Sequence, residues 1–198
     1  MNTLFIDTHG DKIVLAIYEQ DKLQKKIEKK DVEHSRICIP SLIELLNQCK
    51  KSLEDINEII VVIGPGSFTG VRIGVTIAKT IAFCKQIPIK TITSLEQYLP
   101  VQENYLAIEE KNGYYVGKQT DNQITKYFYL KKSEFEDFIK KEKVYIGDIV
   151  DYDGLLKLFK EKDRVNPHQV NPLYVKKIEV ENDKKNWEKR LSKNLWIR

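Results

Sequence analysis

The stretch GPGSFTGVRIG, Gly64 to Gly74, packs four of the chain's nine glycines into eleven residues. It follows EIIVVIG, an apolar run without alternation, as expected for a strand buried on both faces of a parallel sheet. A helical pattern from about Thr69 to Lys85 comes next. Strand, glycine loop and helix in that order belong to an α/β architecture, and they aim backbone N–H groups and a positive helix end at one spot that attracts anions. Gly66 and Ser67 are the loop's candidates for an anion site. The glycine spacing matches neither GxGxxG nor GxxxxGK[ST], and no lysine stands where a P-loop needs one.

Inside the helix the spacing carries a second message. Gly70, Gly74, Ala78 and Ala82 recur every four residues and form a ridge almost free of side chain. Glycine costs about 1 kcal/mol relative to alanine within a helix, so two on one face require a close neighbour. That neighbour lies either in the same monomer or in another subunit. Val71, Ile73, Val75, Ile77 and Ile81 flank the ridge and make most of the circumference apolar.

The remaining pattern places this unit in a lobe. TLFIDT, KIVLAIYE and KLQKKIEKK read as three strands joined by tight turns. Ile37, Leu42, Leu45, Leu46 and Cys49 give a helix from Glu33 to about Lys51, with Pro40 inside it. IPIKTIT supplies a strand and SLEQYL a short helix, so the first lobe spans residues 1–100. The aromatic and β-branched runs between Asn104 and Leu130 suggest an antiparallel sheet. Helices around 132–141 and 152–160, with the strand VYIGD between them, complete a smaller second lobe, 101–198, that ends in a charged tail bearing Trp187 and Trp196.

At 198 residues, 41% hydrophobic and net charge +4, the chain has enough apolar residues for real cores. Its lysines lie mostly in mixed-sign runs, the pattern of solvated faces rather than of a nucleic-acid groove. Three cysteines with no CxxC, and no apolar run of spanning length, suggest a cytoplasmic protein with reduced thiols and no membrane association. The three histidines, His9, His34 and His168, are scattered, and His34 with Cys38 is the one i, i+4 pair of ligand type. Ser67 lies on no GxSxG elbow, so no catalytic residue and no metal ligand set is expected.

Taken in order, IDT near the start, EHS from Glu33, the glycine motif, TSLE after the next strand, AIEEKNGYYV and PLYVKK resemble the TsaB (YeaZ) family. The likeness spans most of the chain. It implies an actin-like, sugar kinase and heat-shock ATPase-type α/β fold, in which two related lobes face a nucleotide cleft and the second is reduced here. Asp7 and Thr8 fall where ATPases of that fold cradle phosphate, although the usual DTS reads DTH in this chain. The catalytic paralogue's histidine pair has no counterpart in TSLEQYLP, and AIEEK stands where relatives more often carry an aspartate.

The resemblance further implies a non-catalytic subunit that binds and activates TsaD as that enzyme transfers a threonylcarbamoyl group to an adenosine beside the tRNA anticodon. TsaE joins in a larger complex, ATP is used through partner subunits rather than bound by this chain, tRNA is met indirectly, and the isolated subunit forms a homodimer. The implied docking face comprises Gly70, Arg72, Ile73, Gly74 and Ile77 on one helix with His34 and Ile37 on the other. Two other readings stay open at this stage. One is a stand-alone small-molecule kinase or ATPase of the same fold; the other is an RNA-binding accessory module built on Tyr114, Tyr115, Tyr127 and Tyr129.

Overall fold

The computed structural model describes residues 1–176. Three strands, β1 (Asn2–Asp7), β2 (Lys12–Glu19) and β3 (Lys22–Lys30), form the antiparallel meander. Helix α1 (His34–Gln48) leads to β4 (Glu58–Val62), and α2 (Phe68–Lys85) leads to β5 (Ile89–Ile92). The sheet order is β3-β2-β1-β4-β5, with β4 and β5 parallel to β1. β1, β2 and β4 are buried along nearly their whole length because both faces of the sheet are covered. Helices α1 and α2 cover one face through Leu42, Leu45, Val75 and Ala78, which pack on Leu4, Ile6, Leu15 and Ile59.

Helix α1 begins at His34 and carries exposed Pro40 within it. The expected helix over SLEQYL is a single 3-10 turn, Glu96–Tyr98. Pro100 follows SLEQYL at once, and the bonds exchanged by buried Thr93 and Glu96 close the segment into one turn.

The second sheet comprises β6 (Tyr105–Glu110), β7 (Gly113–Thr120), β8 (Gln123–Lys131) and β9 (Val144–Gly147), in the order β8-β7-β6-β9. β6, β7 and β8 are antiparallel as expected, but β9 runs parallel to β6. The crossover through α3 (Lys132–Ile139) allows that direction, and α3 covers one face with Phe135 and Phe138 on Val116 and Phe128.

The boundary near residue 100 separates the two sheets but not the two packing units. Helix α4 (Leu155–Glu161) returns to the uncovered face of the first sheet. There Tyr152, Leu155 and Phe159 pack on Phe5, Val14, Tyr18 and Ile60. Beyond it, Val165 bridges Ile89 on the outer edge of β5, and the Leu173 N–H donates to the Ile63 carbonyl at 2.7 Å. Residues from about 150 to 173 therefore complete the first lobe rather than the second. Trp187, Trp196 and the rest of the expected tail lie outside the described residues.

Candidate functional site

The carboxyl end of β1 meets the glycine motif in one buried junction. Thr8, with no exposed surface, donates its Oγ1–H to the Gly70 carbonyl at 2.7 Å. The Asp7 carboxylate accepts two bonds from His9 on Oδ1, one from the backbone N–H at 3.0 Å and one from Nδ1 at 2.7 Å. A carboxylate only accepts, so the imidazole carries its hydrogen on Nδ1 at this contact. Burial pushes the Asp7 carboxyl up, but the His9 charge and hydrogen bonds, with a further bond from Gln97, outweigh it and hold the pKa below the ordinary 3.8.

The His9 carbonyl in turn accepts the Ser67 N–H at 2.7 Å. Ser67 caps α2, its hydroxyl oxygen accepting from the Gly70 N–H at 3.2 Å. Three further segments grip the same loop. Ser94 donates to the Pro65 carbonyl at 2.6 Å, Tyr115 of the second lobe donates to Gly66 at 3.3 Å, and the Leu173 carbonyl lies against Gly64. Gly64 sits at φ +97°, a backbone conformation that disfavours any side chain.

This junction decides what the glycine ridge is for. A Cβ on Gly70 would overlap the Thr8 carbonyl, and one on Gly74 would overlap Thr8 Oγ1. Gly74, Ala78 and Ala82 are buried against the molecule's own sheet. The expected placement of Gly70 and Gly74 on a docking face is therefore corrected: their small size lets α2 lie close on the end of β1 within the monomer.

The anion-site candidates Asp7, Thr8, Gly66 and Ser67 are brought together, yet their groups are already engaged. The Ser67 N–H is bound by His9, those of Gly70 and Val71 by Ser67, and a Cβ on Gly66 would overlap the His9 carbonyl. The junction borders a cleft of about 1140 Å³ between the lobes, whose walls include Glu28, Glu109, Glu110 and Asp148. Lys12 and Lys30 in the same wall pair with Glu28 and Asp11. Lys111 lines the same cleft.

Other expected site residues lie on the outside of the helix pair. Arg72 stacks over the Phe68 ring, 3.8 Å from its centroid, and its Nε–H donates to the Tyr174 hydroxyl at 2.7 Å. It faces Phe68 and the returning chain at Tyr174. Ile73, Ile77 and Ile81, spaced by four, form a half-buried row on α2. His34 and Ile37 are half-buried near the start of α1.

Two residues that sequence reasoning did not nominate, Ile39 and Ile43, form an exposed row on α1 at 46% and 54% exposure. They stand two and six positions from Ile37, on another flank of the helix. The signal was present as apolar positions outside the core-facing period of Cys38, Leu42 and Leu45.

The tyrosines of the second sheet are engaged in packing. Tyr114 stacks on Phe135 at 3.7 Å, while Tyr115, Tyr127 and Tyr129 direct their hydroxyls to Gly66, Thr93 and Glu110. That arrangement leaves no open stacking platform on these four rings. Among the described residues no three His, Cys, Asp or Glu side chains converge as a metal site. Cys38 is buried, and burial pushes its thiol up to about 11, the character of a packed residue rather than of a nucleophile or ligand. No helix among the described residues is long and apolar enough to cross a membrane.

With this geometry in hand, comparison with known proteins is specific. Residues 22–112 match the family described as TsaD, tRNA N6-adenosine threonylcarbamoyltransferase. The tRNA threonylcarbamoyladenosine biosynthesis protein TsaB of Bacillus subtilis is 41% identical over 97 residues, which are 48% of this chain and 42% of that protein. The chain thus matches less than half the length of that relative. Among solved structures, YeaZ from Pseudomonas aeruginosa superposes with TM-score 0.68 at 17% identity, covering 87% of this chain and 99% of that one. A Pseudomonas aeruginosa protein described as similar to peptidase YEAZ gives TM-score 0.69 at 17% identity, over 88% and 99% of the two chains. The fold is accordingly the α/β actin-like fold that YeaZ shows, and the sequence similarity to TsaB proteins covers about half of this chain.

Proposed function

We propose that this chain is a non-catalytic partner of a TsaD-type transferase, docking through the outer face of α1 and α2 and supporting threonylcarbamoyl transfer to tRNA. The relatives named for tRNA threonylcarbamoyladenosine biosynthesis support the pathway, and the match of residues 22–112 to the TsaD family supports pairing between two lobes of like fold. The observation that carries the docking face is the pair of isoleucine rows, Ile39 and Ile43 on α1 and Ile73, Ile77 and Ile81 on α2. The two helices pack side by side on one face of the sheet, so their outer surfaces are available together.

An apolar helix pair closing on a second pair gains about 25 cal/mol per Å² of apolar area removed from water. A homodimer of the isolated chain would use the same rows and compete with TsaD. Asp7 and Ser67 lack the freedom to act on a substrate, which favours an accessory role over a stand-alone kinase or hydrolase. TsaE and tRNA would then meet the complex rather than this chain alone, and ATP would act through the partners.

The test is co-elution of purified TsaD with the wild-type chain and with Ile43→Glu. The variant should lose the complex while keeping its circular dichroism and melting temperature. An unchanged complex would remove α1 from the docking face.

A further inference from the structure

The resemblance described above puts Asp7 and Thr8 where ATPases of this fold cradle phosphate. The corresponding groups of this chain are arranged for another task. We propose that the Asp7–His9 pair stands where the metal and phosphates would lie, clamping the end of β1 to the glycine loop and closing the cleft to magnesium nucleotides.

Four observations support the clamp, three of them contacts of His9. Asp7 is 4% exposed and receives both the backbone N–H and the imidazole N–H of His9, so two protein donors already occupy its coordinating edge. The same residue's carbonyl holds the Ser67 N–H, which a phosphate would need. Gly66 packs against the His9 backbone so closely that a methyl group could not be added, which holds the glycine loop tight on the end of β1. The remaining walls carry Glu28, Glu109, Glu110 and Asp148, which oppose a polyanion, while Lys12 and Lys30 are paired with carboxylates and Lys111 is the remaining lysine of the cleft.

His9 therefore joins three things through one residue: the buried carboxylate of β1, the cap of α2, and through Ser67 the first turn of the helix whose outer face carries Ile73 and Ile77. The clamp fixes the start of the docking helix without a ligand. In this respect the inference rests on the docking role proposed above, but its test does not.

Two measurements on the full chain decide it. In calorimetric titration with Mg²⁺-ATP, the wild-type chain should show no binding up to about 1 mM. Binding that Asp7→Asn abolishes would overturn the closure. In hydrogen exchange, His9→Ala should speed the amides of Ser67, Gly70 and Val71 by about tenfold while leaving α1 unchanged. Unchanged exchange at those amides would overturn the clamp. Should His9→Ala fail to fold, His9→Gln, which replaces the imidazole by an amide N–H, serves for the same comparison with a smaller acceleration still required. Neither measurement involves TsaD, so failure of the clamp and failure of the docking face are distinguishable.

Discussion

At the scale of single residues, Gly74 and Asp7 show how one side chain fixes the others around it. Gly74 faces Thr8 Oγ1, which is itself held by the Gly70 carbonyl, so an added methyl has no flexible neighbour to displace. Gly74→Ala should cost about 1–3 kcal/mol of stability in urea unfolding, and Gly74→Leu more, with loss of soluble monomer. A Leu variant as stable as wild type would contradict the packing assigned to the ridge. Asp7 has a folded pKa below its ordinary 3.8, so its contribution is present above that value and is lost as pH falls through the folded pKa. Asp7→Asn should thus be less stable than wild type near neutrality, and the difference should narrow on acidification from about pH 4 to about pH 2. A constant difference across that range would mean that the carboxylate charge does not matter to the fold. The four-residue spacing of Gly70, Gly74, Ala78 and Ala82 announced a close approach in the sequence. It could not name the approaching group, because Thr8 lies more than sixty positions away and only the sheet topology brings the end of β1 under α2.

At the scale of elements, the strands and helices of the first lobe were legible because each has a face with one period. β1, β2 and β4 are continuous apolar runs and are buried on both faces, and α1 and α2 show the helical period over four turns or more. The direction of β9 was not legible, since four residues carry no record of which edge they pair with or in which sense. The rows proposed for docking were half legible. Ile73 and Ile77 stood out beside the ridge, whereas Ile39 and Ile43 were masked by the stronger core period of α1. Their exposure makes a clean comparison possible. Ile43→Glu sits at 54% exposure and should leave the melting temperature nearly unchanged while abolishing the complex with TsaD in size-exclusion chromatography. Ile77→Glu, half-buried against the core cluster, should lose the complex and also melt several degrees lower. If Ile43→Glu bound TsaD normally and Ile77→Glu did not, the contact would be confined to α2.

At the scale of the whole molecule, the return of the chain after β9 decides what can fold alone. One face of the first sheet carries Phe5, Val14, Tyr18 and Ile60, and its buried cover is Tyr152, Leu155 and Phe159, with Val150, Leu156 and Leu158 packed around them. Phe159 stacks on Phe5 at 5.6 Å and meets Tyr18 edge-on at 5.3 Å, and the Tyr18 hydroxyl donates to the Tyr152 carbonyl at 2.7 Å. Buried Glu58 reaches the same region through Lys90, whose Nζ also donates to the Phe159 carbonyl at 2.9 Å. Helix α4 is thus a covering layer of the first lobe that happens to follow the second in sequence, and the periodicity of Leu155 to Phe159 indicates a helix without saying which sheet it covers. A fragment ending at residue 100 would expose that face, and large contiguous apolar patches on a soluble chain lead to association. The fragment 1–100 should therefore bind a hydrophobic dye and aggregate, whereas the chain through residue 176 should unfold in one cooperative transition. Phe159→Ala in the full chain should cost about 3–5 kcal/mol, the usual range for emptying a buried aromatic site, and should lower both lobes' signals together. A stable, monomeric 1–100 fragment, or a Phe159→Ala variant that loses only the second lobe's signal, would show that α4 belongs with the second sheet after all.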